Sequence, residues 1–402
     1  MVFTLTKVLI VGSGAGGGIL ASELSQRGVE VTIIEKGPST PPGDAHCHYD
    51  TINTGVEILK THCVGGTTMV TAGNAVRTCQ DELKKLNIDV GSELDQVEEE
   101  VGVTILPDSL LGEGTRILMD SARRLGLSME KMPKFIDPRL CKPCGKCALG
   151  CPRNAKWNSR HYLKNALNMG ACLIENRPVV DVLLENGKLK GVRTHGKDYY
   201  ADVVVLSSGA ISTPRLLKRA GLEAGAQLFV DTFITIGGVL EKIGFNEEVQ
   251  MNALLRRKDL IISPHFSSIL VDKIPGAAPE DILGMMVKIK DDNQGQVTSE
   301  EVVKYSTARD VGLLSEGAAL AGSILVNAGA DPTRLVSTPA RGAHPGGTAA
   351  IGSVVDSNLE TEIENLFVAD ASVLPSAPGA PPVLTILALA KRLGRYIYMD
   401  RA

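Results

Sequence analysis

Between Lys7 and Glu35 the chain runs KVLIVGSGAGGGILASELSQRGVEVTIIE, and few folds accept that order of elements. Lys7 to Val11 is an apolar run of buried-strand type. Gly12, Gly14 and Gly17 follow at the G-x-G-x-x-G spacing, where backbone turns tightly and can approach a pyrophosphate. The helix-period segment after them aims its first amides at that anion. Val29 to Ile34 predicts a second strand, and Glu35 at its end stands where a carboxylate accepts hydrogen bonds from an adenosine ribose. A lone glycine fingerprint also fits a glycine-rich turn in an ordinary α/β protein. The full strand, helix, strand and terminal acid predict dinucleotide binding on a Rossmann-like unit.

The chain has 402 residues, more than one usual domain, and enough to bury more than one core. A formal charge of -4, a pI near 6.0 and the lack of a lysine-rich tract give no electrostatic basis for binding nucleic acid or an anionic membrane. The leading MVFTLTK merges into the fingerprint without a cleavage region and reads as strand, not signal peptide. No stretch approaches the roughly eighteen unbroken apolar residues that a membrane span needs. Eight cysteines without an export signal predict a reducing, cytoplasmic setting, where clustered thiols bind metal or clusters more often than they form disulfides.

The loop from Lys36 to Asp50 holds His46, Cys47 and His48, but this spacing suits no common zinc site. In VGGTTMVTAGNAVR, Gly65, Gly66 and Thr67 allow close backbone approach and hydrogen bonding to something polar, or mark a plain turn before a strand. Gln80 to Val103 and Gly112 to Leu127 predict surface helices.

The chain then reads CKPCGKCALGCP. Cys141, Cys144, Cys147 and Cys151 form C-x2-C-x2-C-x3-C-P, the run that ligates cubane iron-sulfur clusters in bacterial ferredoxins. Zinc sites usually pair two knuckles across a longer loop, so the compact spacing predicts a 4Fe-4S cluster over a zinc knuckle. In two-cluster ferredoxins the fourth cysteine serves the other cluster, and this chain has no second run. Either Cys151 folds back, the reading favoured here, or the fourth ligand is Cys47, Cys63, Cys79 or Cys172. Lys142, Lys146 and Arg153 offset the cluster's negative charge or steer an acidic electron carrier.

Further on, Ala155 to Gly170 predicts a helix running through Trp157. Asn176 to Arg193 predicts a hairpin turning at Asn186-Gly187, and Tyr200 to Leu206 a buried strand. A helix follows in SSGAISTPRLL, with Ser208 and Gly209 a second place for backbone to close on a nucleotide. Glu248 to Leu255, Leu260 to Ile269 and Leu283 to Lys290 read as strands of an antiparallel sheet walling a substrate pocket. Leu366 to Ala369 returns to buried strand, and Pro381 and Pro382 open a last helix. The expected organisation is an α/β chain. Residues 1–80, 155–220 and 339–402 form a dinucleotide-binding Rossmann-like domain, 81–154 a helical and cysteine-bearing insertion, and 221–338 an antiparallel-sheet substrate domain.

The chain resembles the glucose-methanol-choline (GMC) flavoproteins. GSGAGGG with Glu35, the GGTT block, AKWNSRHYL, SSGAISTPRLL and the HPGGT to VADAS segment occur in that family's order. The resemblance implies FAD as the dinucleotide, with Gly12, Gly14, Gly17 and Glu35 on its ADP half and Gly65, Gly66 and Thr67 on its pyrophosphate and flavin side. It implies that Val180 meets the adenine by backbone and that Asp370 and Ala371 contact the ribityl chain or pyrophosphate. His344 matches the family's active-site histidine, which takes a proton from a substrate hydroxyl, a task suited to imidazole.

Two departures bear on function. The family's second histidine or asparagine falls at Pro382, which has neither side-chain donor nor acceptor; His62, Asn74 and His265 are candidate replacements. The cysteine run is the other, since a flavin collects electrons in pairs and an iron-sulfur cluster passes them singly. Together these predict a dehydrogenase oxidising an alcohol, polyol or sugar and discharging into a ferredoxin-like carrier. A reductase fed by ferredoxin and a non-catalytic electron-transfer subunit are the alternatives.

Overall fold

In the computed structural model, which describes residues 6–401, Lys7–Val11 and Glu30–Ile34 pair in parallel with the helix Ala15–Ser25 between them. Val203–Leu206 and Leu366–Val368 extend the sheet on one side and Cys172–Ile174 on the other, giving five parallel strands. Parallel strands covered on both faces read as unbroken apolar runs, and VVVL is buried at every position. The last helix, Val383–Asp400, packs on Ala15–Ser25, where Gly394 lies so close that a Cβ would come 3.0 Å from Glu23 Cβ. The reading of MVFTL as strand lies outside the described residues.

The hairpin forms between Val179–Glu185 and Lys188–Thr194, with Asn186 and Gly187 both left-handed at φ 51° and 76°, as a two-residue type I′ turn requires. The helix expected from Ala155 begins only at Arg160, because the preceding backbone is already paired: Asp137 N donates to Ala155 O and Trp157 N to Phe135 O. Tyr200 to Leu206 is not one strand. Lys197–Tyr200 belongs to the hairpin's sheet and Val203–Leu206 to the parallel one.

The second sheet departs from the expected antiparallel form. It runs Tyr49–Ile52, Glu57–Thr61, Arg341–Gly342, Thr232–Val239, Ile282–Ile289, Leu260–Pro264, Ala253–Arg256 and Glu130–Lys131, with Val336–Ser337 also pairing to Thr232–Val239. It is mixed, since Arg341–Gly342 lies parallel to Glu57–Thr61, a strand drawn from early in the chain. The strand expected to continue to Ile269 stops at Pro264, and Ser268–Lys273 is helical. The helix Ala308–Asn327, opened by a reciprocal Thr307 and Asp310 cap, covers one face of this sheet. Strand alternation then sorts the side chains. Met285, Val287 and Ile289 join the core that includes helix residues Leu314, Ile324 and Leu325, while Met286 and Lys288 line a cavity.

Candidate functional site

A cavity of about 1060 Å³ opens at the carboxyl ends of the parallel strands, where doubly wound α/β sheets bind ligands. Gly12, Gly14, Glu35, Gly66, Thr67, Asp370 and Ala371 line it. Glu35 is buried. Its carboxylate accepts from Ser13 N and Oγ at 3.0 and 2.6 Å and from Gly37 N at 2.8 Å, so it ties the glycine turn to the second strand. Asp370 acts alike beyond the strand Leu366–Val368, accepting from Gly209 N, Thr213 Oγ1, Ser372 N and Ser372 Oγ, although burial pushes its carboxyl upward. The last helix presents its N-terminal turn to the same space through Pro381, Pro382 and Val383.

Three expected contacts lie behind this wall instead of on it. Gly17 lets the first helix close on its strand, since a Cβ there would sit 2.1 Å from Gly12 O. Gly65 turns the chain at φ 96° and donates its amide to Ser13 Oγ at 3.0 Å. The Val180 carbonyl accepts from Arg219, and Val179 lines the cavity in its place.

At the sheet end, His344 Nδ1 lies 2.8 Å from Asp231 Oδ2. Asp231 is fully buried, and burial raises its carboxyl to about 7 against the pull of Lys288; in its ionised form it can only accept from this ring, which places the hydrogen on Nδ1 and leaves Nε2 its lone pair. Burial, then the nearby Lys288 ammonium, hold His344 well below the usual histidine range, so the ring is neutral. Asp231 has a left-handed backbone at φ 51°, and its Oδ1 also accepts from Gly379 N at 2.8 Å, in the turn before the last helix. That conformation is held from behind. The Asp291 carboxylate receives the amides of Val230, Asp231 and Thr232, and pairs with Lys304 at 2.7 Å, both side chains fully buried. Of the candidates for the second position, His62, Asn74 and His265 all line the cavity.

The cysteine segment meets this cavity from the side. Cys144, Gly145, Lys146, Ala148 and Leu149 line it, and Cys144 also borders a second, small pocket together with Cys141, Cys147 and Cys151. All four are free thiols. Ile136, Ala155 and Val249 close that pocket with apolar surface. Cys47 and Cys172 are exposed, Cys63 is buried among Ala45, Met69 and Val70, and Cys79 belongs to the main core. Among the described residues no group of three or more His, Cys, Asp or Glu side chains converges on a point fit for one metal ion.

Two lysines stand between that pocket and the interior. Lys134 is 0% exposed and donates to Ala72 O, Asn74 Oδ1 and Gln250 O; Lys156 is 3% exposed and donates to Met69 O, Thr71 O and Cys147 O. Neither pairs with a carboxylate among the described residues. Burial pulls Lys134 down to about 7 and Lys156 to about 8, and the cysteine thiols beside them are the groups that favour their charged forms.

The comparison with known families decides what the large cavity belongs to. The N-terminal model described as GMC oxidoreductase matches residues 8–251 and the C-terminal one residues 287–390. The chain belongs to the GMC oxidoreductase family. An uncharacterized protein of Methanocaldococcus jannaschii is 33% identical over 96% of this chain and 98% of its own length. A long-chain-alcohol oxidase of Arabidopsis thaliana is 24% identical over 95% of this chain and 66% of that protein. In fold, pyridoxine 4-oxidase from Mesorbium loti superposes with a TM-score of 0.79 at 16% identity, covering 99% of this chain and all of the other. Formate oxidase of Aspergillus oryzae reaches 0.75 at 14% identity over 98% of each.

As a GMC oxidoreductase the protein is FAD-dependent, and the cavity fits that cofactor. A Cβ added at Gly14 or Gly209 would meet nothing within 4 Å, so both glycines face open space at the strand ends. Arg177 Nε and His62 Nδ1 on the same wall are buried without a partner, as atoms awaiting a polar ligand would be.

Asp231, Lys288, Asp291 and Lys304 escaped the sequence reading because their partners lie far apart in the chain. A signal existed for Lys288: it is the one charged residue in the wholly buried strand ILGMMVKI. Lys156 sits within AKWNSRHYL, read from the sequence as helix and as a block of the family resemblance, neither of which marks a buried cation.

Proposed function

We propose that this GMC oxidoreductase is an FAD- and 4Fe-4S-dependent dehydrogenase that oxidises an alcohol or polyol CH–OH group in a reducing, cytoplasmic setting and passes electrons singly to a ferredoxin-like carrier. One observation carries the reading: the glycine turn, His344 and Cys144 all border a single cavity. FAD, when bound, supplies the two-electron acceptor. Gly12, Gly14 and Glu35 would hold its ADP half, with Gly17 shaping the turn from behind and Val179 in place of Val180 at the adenine. Gly66, Thr67, Asp370 and Ala371 would hold the centre of the molecule, with Gly65 setting the turn behind them. The N-terminal end of the last helix favours negative charge beside it. His344 Nε2 accepts the substrate's hydroxyl proton, and Asp231 keeps the ring oriented and in the right tautomer.

For the cluster, Cys141, Cys144, Cys147 and Cys151 are the ligands, Cys151 because it borders the same pocket as the other three. Its negative charge is the counterpart that buried Lys134 and Lys156 otherwise lack.

The test begins with anaerobic purification, with iron, sulfide and flavin quantified and a panel of alcohols from ethanol to dodecanol, glycerol and sorbitol mixed with the oxidised protein. About four irons per chain, one FAD and bleaching of the flavin by a panel member are expected. His344→Ala should slow that bleaching about 10²–10⁴-fold. Flavin without iron would return the four cysteines to structural thiols. A cluster far more reducing than the flavin would assign the opposite direction, with ferredoxin as donor.

A further inference from the structure

Pro382 brings neither donor nor acceptor to the cavity, so a hydroxyl held by His344 alone has no donor for the negative charge that grows on its oxygen as the proton leaves. The strand Ile282–Ile289 carries such a donor. Lys288 is 2% exposed and lines the same cavity as His344. Its Nζ stands 4.8 Å from the centre of the Phe233 ring, a favourable place for a desolvated cation. It donates to the backbone carbonyl of Asp231 at 3.3 Å, while the Asp231 carboxylate holds His344 Nδ1 at 2.8 Å. One residue therefore fixes both side chains. Among the described residues no carboxylate forms a direct ion pair with Lys288, and Asp291 behind it is already paired with Lys304. Two protons of the ammonium remain uncommitted.

Of the other groups on this wall, two are already engaged, and His62, whose Nδ1 has no partner, is not tied to the pair. His265 Nδ1 is engaged by Thr235 Oγ1 at 3.1 Å. Asn74 spends its oxygen on Lys134 and its amide nitrogen on Met251. His62 makes no hydrogen bond to Asp231 or His344.

We propose that Lys288 is a second catalytic residue, its ammonium donating to the substrate oxygen while His344 Nε2 accepts the hydroxyl proton. The proposal rests on the alcohol-oxidising reading above. The O–H proton goes to Nε2, the C–H hydrogen leaves with its electron pair to the FAD, and the C–O bond becomes a carbonyl whose oxygen stays against Lys288. Lys288 transfers no proton. Its charge stabilises the oxygen most when the oxygen is most negative, which is the transition state.

The experiment compares wild-type holoenzyme with Lys288→Met, Lys288→Arg and Lys288→Gln in two measurements. The first is anaerobic stopped-flow bleaching of the flavin over a concentration series of the most active panel alcohol. The second titrates trifluoroethanol, whose acidic hydroxyl approaches an alkoxide, against the flavin absorbance. Lys288→Met is expected to lower the limiting bleaching rate about 10²–10³-fold and to weaken trifluoroethanol at least about tenfold, with Lys288→Arg recovering part of both. Should Lys288→Met lose its flavin or fail to fold, Lys288→Gln, which keeps a donor and drops the charge, decides by the same criteria.

An unchanged limiting rate overturns the proposal, and so does a loss confined to half-saturation, which would make Lys288 an anchor for a distant part of the substrate. If no alcohol bleaches the wild type, the alcohol reading itself falls and the trifluoroethanol titration judges Lys288. Equal affinity in wild type and Lys288→Met, or no binding to either, then overturns its role.

Discussion

Two of the regions in which this protein buries lysines balance their charges differently. Behind His344, Lys304 and Asp291 lie 2.7 Å apart with no exposure of either side chain, and Asp291 also gathers three successive backbone amides. The chain closes this network by itself, and what it holds is the left-handed turn that presents Asp231 to His344. Behind the cysteines, Lys134 and Lys156 are as deeply buried yet touch only uncharged oxygens. A buried cation is costly unless an anion lies near. The first network reads as scaffolding for a base. The second is open toward four thiols, and it makes sense if the charge that completes it arrives with the proposed cluster.

The sharpest way to break this contrast is to remove one lysine from each region. Lys304→Met strands a buried carboxylate, and a loss of about 3–5 kcal/mol is expected, read from the denaturation midpoint at unchanged m-value. Flavin bleaching by the active alcohol should fall with it even at flavin saturation, because Asp231 loses its backing. A loss below about 1 kcal/mol, the range of an exposed pair, would mean that the network is not closed in the sense described.

Lys156→Met should behave in another way. In cluster-free protein the variant sheds an unbalanced cation but leaves three carbonyls without a donor, two effects of opposite sign. In cluster-loaded protein it also loses a charge facing the thiolates. The loaded form is expected to be destabilised by about 1–3 kcal/mol more than the unloaded form, the worth of a hydrogen-bonded charge, and the cluster's reduction potential should fall. Equal cost with and without iron would erase the distinction between the two regions.

The same contrast explains what could be read from the sequence. The dinucleotide side was legible because its parts are consecutive: strand, Gly12, Gly14, helix, strand and Glu35 occupy one short unit, and Gly12 at φ 105° answers a local backbone demand. The cysteine pocket was legible for the same reason, all four thiols lying within one loop. The wall around His344 was not. Asp231, Lys288 and Asp291 come from segments whose nearness depends on the order of strands in a mixed sheet, and strand alternation says which residues share a face without saying which strands are neighbours. The misplaced helix start at Ala155 has a related cause. Its periodicity was helical, but Phe135 and Asp137 had claimed the backbone.

A smaller effect separates the regions by pH. His265 and His344 both line the cavity, and burial followed by Lys288 lowers both, His265 to about 3. Both are therefore neutral in the folded protein at pH values where an unfolded chain, with histidines near 6.5, is already taking up protons. With folded values below unfolded ones, the stability is fully present above about pH 6.5 and is lost as the pH falls from there toward the folded values, at up to about 1.4 kcal/mol per unit for each histidine. Carboxylates in ion pairs titrate lower, but burial raises Asp231 to about 7, so the window between pH 6.5 and 5 holds that carboxyl as well as the histidines. His62 is shifted in the same direction, which makes a variant the cleaner reading. His265→Gln, compared with wild type by urea denaturation across that window, should flatten the slope by about one histidine's share. An unchanged slope would mean that His265 already carries a proton inside the folded cavity despite Lys288 and Arg341, and the wall beside Lys288 would then be less cationic than its geometry implies.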